Sequence, residues 1–500
     1  MSALCICKNS RSLRLGMALV LGLAALLGLL WLVEAAHSPA MALEGSATIR
    51  YVDGVTGHDN GNDCIASTVP CATVQHAVDV AAPGDEIRVA TGVYTGVHAR
   101  AGITQVVYIS KSVTVRGGYA TTDWTTPYPV TQPTTLDAQK QGRVLYISGD
   151  ISPTIEGLRI TGGDAAGLGG IPSGSCGGGV LVTNAPGSAS ATVILKGNDV
   201  VSNNAVFGGG LCVYNRANVT LIGNTISGNN KDLPWTHAAG LCVRASSRVK
   251  LIANTISGNG SDQGGSHLYG GALFVSCDDV TLIGNVVSGN NGPNRCGGLC
   301  FHSSSDVALD GNVVVDNYAG AGAGGGLWVY NSDLVLTNTV IAGNRVGPNG
   351  IGSGLYIQGC YPRLLHATVA RNRGGDGSGI YVTGVTANPV ALTNTIVVSH
   401  RAGITVTANS TISLDGVLWY SNTINYGGEG TITVNNEYTG NPAFAADGYH
   451  LTSASAAIDK GVDAGVDDDI DGDCRDAAPD LGADESVYHV YLPLVLRSSG

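Results

Sequence analysis

The side chains that make the most informative surface of this chain return at a regular interval. Trp328, Tyr356 and Tyr381 occupy one place in successive copies of a repeat, and Tyr330 shares the next outward place with Tyr214, Arg244 and His302 of earlier copies. Flat aromatic faces with hydrogen-bonding tips suit the apolar faces of sugar rings. The set is therefore a candidate binding surface for a polysaccharide or another cell-surface ligand. Two other readings stay open, in which loops from the neighbouring corner bury this face or a protein partner covers it.

Carboxylates stand elsewhere. Asp467, Asp469 and Asp471, just before Gly472, have the alternating oxygen ligands and tight glycine turn of a calcium loop, although Ala478 stands where such a loop carries its bidentate Glu. Ca2+ bound there would be structural. Asp279, Asp306 and Asp333 also share one place per copy, where capping of a turn and bridging by a cation are both open. The aromatic columns hold no Asp or Glu, whereas a glycoside hydrolase needs a carboxylate pair about the scissile bond. Two long connectors, NKDLPWTHAA (Asn230 to Ala239) and GSDQGGSHLY (Gly260 to Tyr269), carry Lys231, Asp232, Trp235, His237, Asp262, His267 and Tyr269. Insertions on one side of a repeat array commonly build its binding face, so an atypical active site would sit here; polar decoration is the alternative.

The elements that position these residues are copies of one unit. Gly208 to Asn229 reads GGGLCVYNRANVTLIGNTISGN, and it returns with drift from Gly240, Gly271, Gly298, Gly326, Gly354 and Gly379, with a poorer copy from Gly178. Short β-branched runs without helical periodicity predict strands stacked coil upon coil. In Leu211-Cys212-Val213 the flanking residues are apolar in every copy and face inward, so the middle residue faces out. That column runs Leu181, Cys212, Cys242, Leu273, Cys300, Trp328, Tyr356, Tyr381; the next outward column runs Thr183, Tyr214, Arg244, Val275, His302, Tyr330, Gln358, Thr383. Asn224 and Asn229 close two short strands, and their places stay Asn at 254 and 259, 285 and 290, and 312 and 317. Asn tolerates the left-handed bend and its amide can bond to the same residue one coil away.

With 73 Gly, 13% charged residues and a net charge of −12 among 500 residues, the chain is turn-rich, charge-poor and unsuited to nucleic acid. Lys8, Arg11 and Arg14 precede the apolar run Leu15 to Val33, and Ala40-Met41-Ala42 fits a cleavage site, so residues 1–42 read as an export signal. The run is also long enough to stay as a membrane anchor. Cleavage would remove Cys5 and Cys7 of the 12 cysteines. Cys64 and Cys71 are an expected bridge; Cys212 and Cys242, side by side in adjacent coils, are either a bridge or a stack of thiols. No Cys or His grouping has zinc spacing.

Between Ala72 and Ala82, Val74, Ala77, Val78 and Ala81 fall on one helical face, and Pro83-Gly84-Asp85 ends the helix. Such a helix would cover the open first coil. The stretch CATVQHAVDVAAPGDEIRVATGVY, followed by ISKSVTVRGGY, TTLDAQ and PTIEGLRITGG, resembles secreted bacterial proteins of the pectin-lyase-like, right-handed parallel β-helix superfamily, over roughly Tyr51 to Glu485. The resemblance implies an all-β, single-stranded solenoid with an N-terminal helical cap. It leaves activity open, because the superfamily includes lyases, hydrolases, epimerases and adhesins. A lyase of that kind would need a base beside a carboxylate-held Ca2+, and Arg244 is the one such base in the outward columns.

The expected layout is a signal over 1–42, the β-helix with its cap over 43–440, a cap module over 441–486 on the last coil, and an apolar tail over 487–500 (YHVYLPLVLRSSG from Tyr488) that is an edge strand or a sorting signal. The module resembles C-terminal segments that follow such β-helices in bacterial surface proteins. The expected function is non-catalytic glycan or surface binding by an exported or cell-surface monomer that meets membrane only through an uncleaved signal. A polysaccharide lyase or hydrolase with an atypical site, and a purely structural surface protein, are the alternatives.

Overall fold

Each repeat folds into one coil because its apolar residues alternate and its corners are Gly or Asn. In the coil that begins at Leu211, the strands Leu211–Tyr214, Asn218–Ile222 and Thr225–Ser227 turn Leu211, Val213, Val219, Leu221 and Ile226 inward, each no more than 1% exposed. The same strands recur one coil on as Leu241–Arg244, Val249–Ile252 and Thr255–Ser257, paired in parallel and in register. The protein is seen in a computed structural model describing residues 47–486 except 101, 166–167, 169–174, 185–191, 216, 232–236, 247 and 261–268. Both the export-signal region and the apolar tail lie outside the described residues.

Among the described residues the stacked strands form a 24-stranded sheet, a 13-stranded sheet and a three-stranded sheet, almost entirely parallel, around one continuous apolar interior. Helix α1 (Val74–Val80) starts at Thr73, whose hydroxyl accepts from His76 N, and buries Val74, Ala77 and Val78 against that interior. Beside it Cys64 and Cys71 are disulfide-bonded, as expected.

Two buried asparagine ladders close the corners. Asn224 Nδ2 donates to Leu195 O (2.8 Å) and to Asn254 Oδ1 (2.9 Å), and Asn254 repeats this on Leu221 O (2.9 Å) and Asn285 Oδ1 (3.0 Å). Asn229, Asn259, Asn290, Asn317, Asn344 and Asn372 form the second ladder, which ends where Asn372 Nδ2 donates to His400 Nε2 (3.3 Å). Each amide satisfies a carbonyl inside the bend and its successor one coil away, which is why burying so many polar groups is tolerated.

The C-terminal module does not sit over the last coil as expected. It lies along the flank, where Ala457, Leu481 and Ala483 pack on Val340, Ala342, Ala370, Ile396, Val398 and Leu418. The physical reason is in the repeat: the outward places that are Thr225 and Ser227 in an early coil become Ile396 and Val398 in a late one, and an apolar outer face must be covered. At the adjoining left-handed corner, Gly284 and Gly311 give way to Asn338, His366 and Asn394. These hold the module: Arg475 Nη2 donates to Asn338 Oδ1 (3.0 Å), His366 Nδ1 meets Asp480 O (3.2 Å), and Asn394 accepts from Val462 N (2.9 Å). Arg475 also pairs with Glu485 at 3.0 Å, both buried. The last strand, Thr431–Thr439, keeps Ile432 and Val434 only partly buried against the interior.

Candidate functional site

The two outward columns expected on the 13-stranded sheet are in register. Cys300, Trp328, Tyr356 and Tyr381 are neighbours on consecutive strands, as are His302, Tyr330, Gln358 and Thr383. Tyr214 pairs with Arg244 and Arg244 with Val275, which continues the second column toward the N-terminus.

The first column is not an open platform. Trp328 is 6% and Tyr356 8% exposed, and Cys212, Cys242 and Cys300 are fully buried, in a second apolar cluster separate from the interior. The cover is one residue per coil from the chain just before the strand, namely Cys176, Phe207, Ala238, Tyr269, Cys296, Ala323 and Ile351. Most stand directly before a short glycine-rich turn, and Ala238 precedes Ala239-Gly240. Gly208, at φ 58°, shows why glycine is needed: a Cβ there would lie 2.1 Å from Leu211 O. The chain therefore doubles back and lays an apolar side chain over the middle column, the loop-burial alternative for Trp328 and Tyr356. That apolar residue before each glycine run was a legible sequence signal.

Disulfides fasten this cover. Cys176 bonds to Cys212 and Cys296 to Cys300, each joining a covering residue to the middle column. The bridge weighed between Cys212 and Cys242 is therefore not formed. Cys242 is a buried free thiol, and burial pushes its pKa up to about 12.

The second column stays half-buried, with Tyr214, Arg244, His302 and Tyr330 all partly accessible, as is Tyr381 at the end of the first. The Trp328 and Tyr330 rings stack at 5.6 Å, His302 lies 4.8 Å from Tyr330, and Tyr356 stacks on Tyr381 at 5.7 Å. Tyr356 OH donates to Gln358 Oε1 (3.1 Å). Arg295 reaches over Trp328, and Arg244 over Phe207, whose ring also stacks on His237 at 4.5 Å. Burial and the Arg244 charge lower the His237 pKa. The face thus offers aromatic rings and donors in one row. Of the connector residues, Lys231 is exposed and Tyr269 packs on Trp328 at 6.0 Å, whereas Asp232, Trp235, Asp262 and His267 lie outside the described residues.

The aspartates behave differently from a calcium loop. Asp469 is buried, with Oδ1 accepting from Asp471 N and Asp473 N (both 2.9 Å) and Oδ2 from Glu485 N (2.8 Å). Asp467 is exposed, and Asp471 turns to His450. Among the described residues Asp467, Asp469 and Asp471 do not come together as a ligand set. Asp279, Asp306 and Asp333 are exposed, and the first two have φ of 51° and 50°, as turn residues.

Continuous parallel coils with inward apolar ladders define a protein of the parallel β-helix class. Residues 143–337 match the family model for the right handed beta helix region. No curated protein matches the chain in sequence. Among solved structures it is similar to pectate lyase Pel9A (13% identity, 88% of this chain and 97% of that one, TM-score 0.40). It is also similar to a mutant of the periplasmic alginate epimerase AlgG (12% identity, 71% and 73%, TM-score 0.37) and to the catalytic domain of a GH87 alpha-1,3-glucanase (12% identity, 81% and 70%, TM-score 0.36). Those activities belong to those proteins.

Proposed function

We propose that the protein is an exported or cell-surface β-helix that binds glycan without turning it over, through the half-open second column Tyr214, Arg244, His302 and Tyr330, together with Tyr381 at the accessible end of the first. The observation that carries this reading is the Tyr330 ring, part-exposed, backed by the buried Trp328 ring and flanked by His302. A sugar ring stacked there meets a rigid aromatic support, and Arg244 and His302 supply donors to its hydroxyl or carboxylate groups. Trp328 and Tyr356 act as the floor of the row rather than as contacts. Neither outward column carries a carboxylate, and a hydrolytic pair is what a glycosidase reading would need.

The test is a glycan array with the full chain, followed by titration calorimetry on the best ligand. Binding that falls in Tyr330→Ala and Arg244→Ala, with no new reducing ends or unsaturated product, supports the reading. Binding unchanged in both variants removes the site, and product formation moves the protein to the enzyme class.

A further inference from the structure

The C-terminal module holds a group of side chains that the glycan reading does not use. His450 is gripped at both ring nitrogens: Nδ1 lies 2.5 Å from Asp447 Oδ2 and Nε2 lies 2.7 Å from Asp471 Oδ2. His450, Asp471 and Asp484 each present a ligand atom, all within 4.8 Å of one another. They line a cavity of about 300 Å³ together with Ser453 and Asp473.

Asp484 supplies an independent observation. The residue is only 6% exposed, and its Oδ2 accepts from Leu451 N (2.6 Å). Its other oxygen accepts no hydrogen bond among the described residues and is not closed off from solvent. A carboxylate oxygen open to the cavity beside an imidazole and a second carboxylate is the arrangement of a ligand.

We propose that His450 Nε2, Asp471 and Asp484 bind a divalent cation of the zinc class, with Asp447 orienting the imidazole. One nitrogen and two carboxylate ligands suit Zn2+ and its neighbours, whereas Ca2+ takes oxygen ligands alone. Asp447 accepts the Nδ1 proton, the usual partner of a metal-bound histidine, and this leaves the Nε2 lone pair for the ion. The two carboxylates balance the ionic charge. Without metal, the proton shared by Nε2 and Asp471 occupies the place of the ion; on binding it is released to solvent. Asp471, on the exposed side, moves outward by roughly half an ångström to accommodate metal–ligand distances of about 2.0–2.2 Å. The ligands come from three stretches of the module, around 447–451, 469–473 and 484, so the ion would tie together the segment that covers the flank of the β-helix.

The experiment uses the full chain stripped with chelator and titrated separately with Zn2+, Mn2+ and Ca2+ by calorimetry, with melting temperature as a second readout. The expected result is one Zn2+ per chain at micromolar or tighter affinity, with a melting temperature raised by several degrees. His450→Gln should lose this binding, and Asp447→Asn should weaken it by roughly 10- to 100-fold. Should a variant fail to fold, the d–d absorption of the Co2+-loaded wild-type chain reads the mixed nitrogen and oxygen ligand set directly. Absence of Zn2+ binding, binding unaltered in His450→Gln, or uptake of Ca2+ in preference to Zn2+ would overturn the proposal.

Discussion

The rings of Trp328 and Tyr330 lie parallel, centroids 5.6 Å apart and planes within 4°, yet the first is sealed and the second is partly open. Two places apart on one strand, they point from the same face. The covering residues seal the nearer row and leave the farther one part-accessible, so one sheet face carries a buried apolar strip and a half-open strip side by side.

That division separates stability from binding. Trp328→Ala should cost about 3–5 kcal/mol, as for any large core truncation, and lower the urea midpoint. Tyr330→Ala should cost less than about 1 kcal/mol and weaken glycan affinity by roughly tenfold. Equal effects of the two on the midpoint would remove the distinction.

The asparagine ladder predicts an unusual sensitivity at a side chain with no role in binding. Asn254→Leu strips the acceptor from Asn224 N and Nδ2 and the donor from Leu221 O. With those groups left buried, the loss should be about 2–4 kcal/mol by urea unfolding followed by circular dichroism.

Acid should act through His400. Burial holds its pKa down to about 4, with the Arg371 charge adding to the effect, against an ordinary 6.5. The folded pKa lies below the unfolded one, so the unfolded chain binds the proton first. The stability contributed by neutral His400 is intact above pH 6.5 and is lost progressively as pH falls toward 4. The slope is at most about 1.4 kcal/mol per pH unit. His400→Asn restores the residue of the preceding coils, so the variant should show a flatter stability profile between pH 6.5 and 4 than the parent. Coincident profiles would contradict the assignment.

The docked module rests on Arg475. Its guanidinium pairs with Glu485 and bonds to Asn338 Oδ1, Gly482 O and Ala483 O, with the side chain 1% exposed. Arg475→Ala leaves the Glu485 carboxylate buried without its counter-charge, a loss of about 3–5 kcal/mol. Limited proteolysis should then cut within 441–486 before the coils. Simultaneous loss of both would show that the module is not a separately releasable cover.

Much of this arrangement was readable from single residues. The inward Leu211 and Val213, the Asn columns, the Cys64–Cys71 bridge and the cap helix all follow from local periodicity and turn chemistry, which repeat in every coil. What misled was the outer surface. Cys212 and Trp328 do point away from the interior, but pointing outward and meeting water are different things once Phe207 and Tyr269 fold back over them. The Asp467 to Asp471 spacing matched a calcium loop, yet Asp469 spends its oxygens on neighbouring backbone N–H groups, and His450 lies too far along the chain for spacing to associate it with Asp471.

By itself the sequence determined the coil: its length, its inward faces and its hydrogen-bonded corners, because these depend on neighbours a few residues away and on the same place one repeat later. The tertiary structure alone decided which outer faces remain open, which cysteines meet, and where the C-terminal segment lies. Those outcomes depend on the direction in which the chain leaves each corner and on contacts such as Arg475 with Asn338, more than a hundred residues apart, and no local periodicity encodes them.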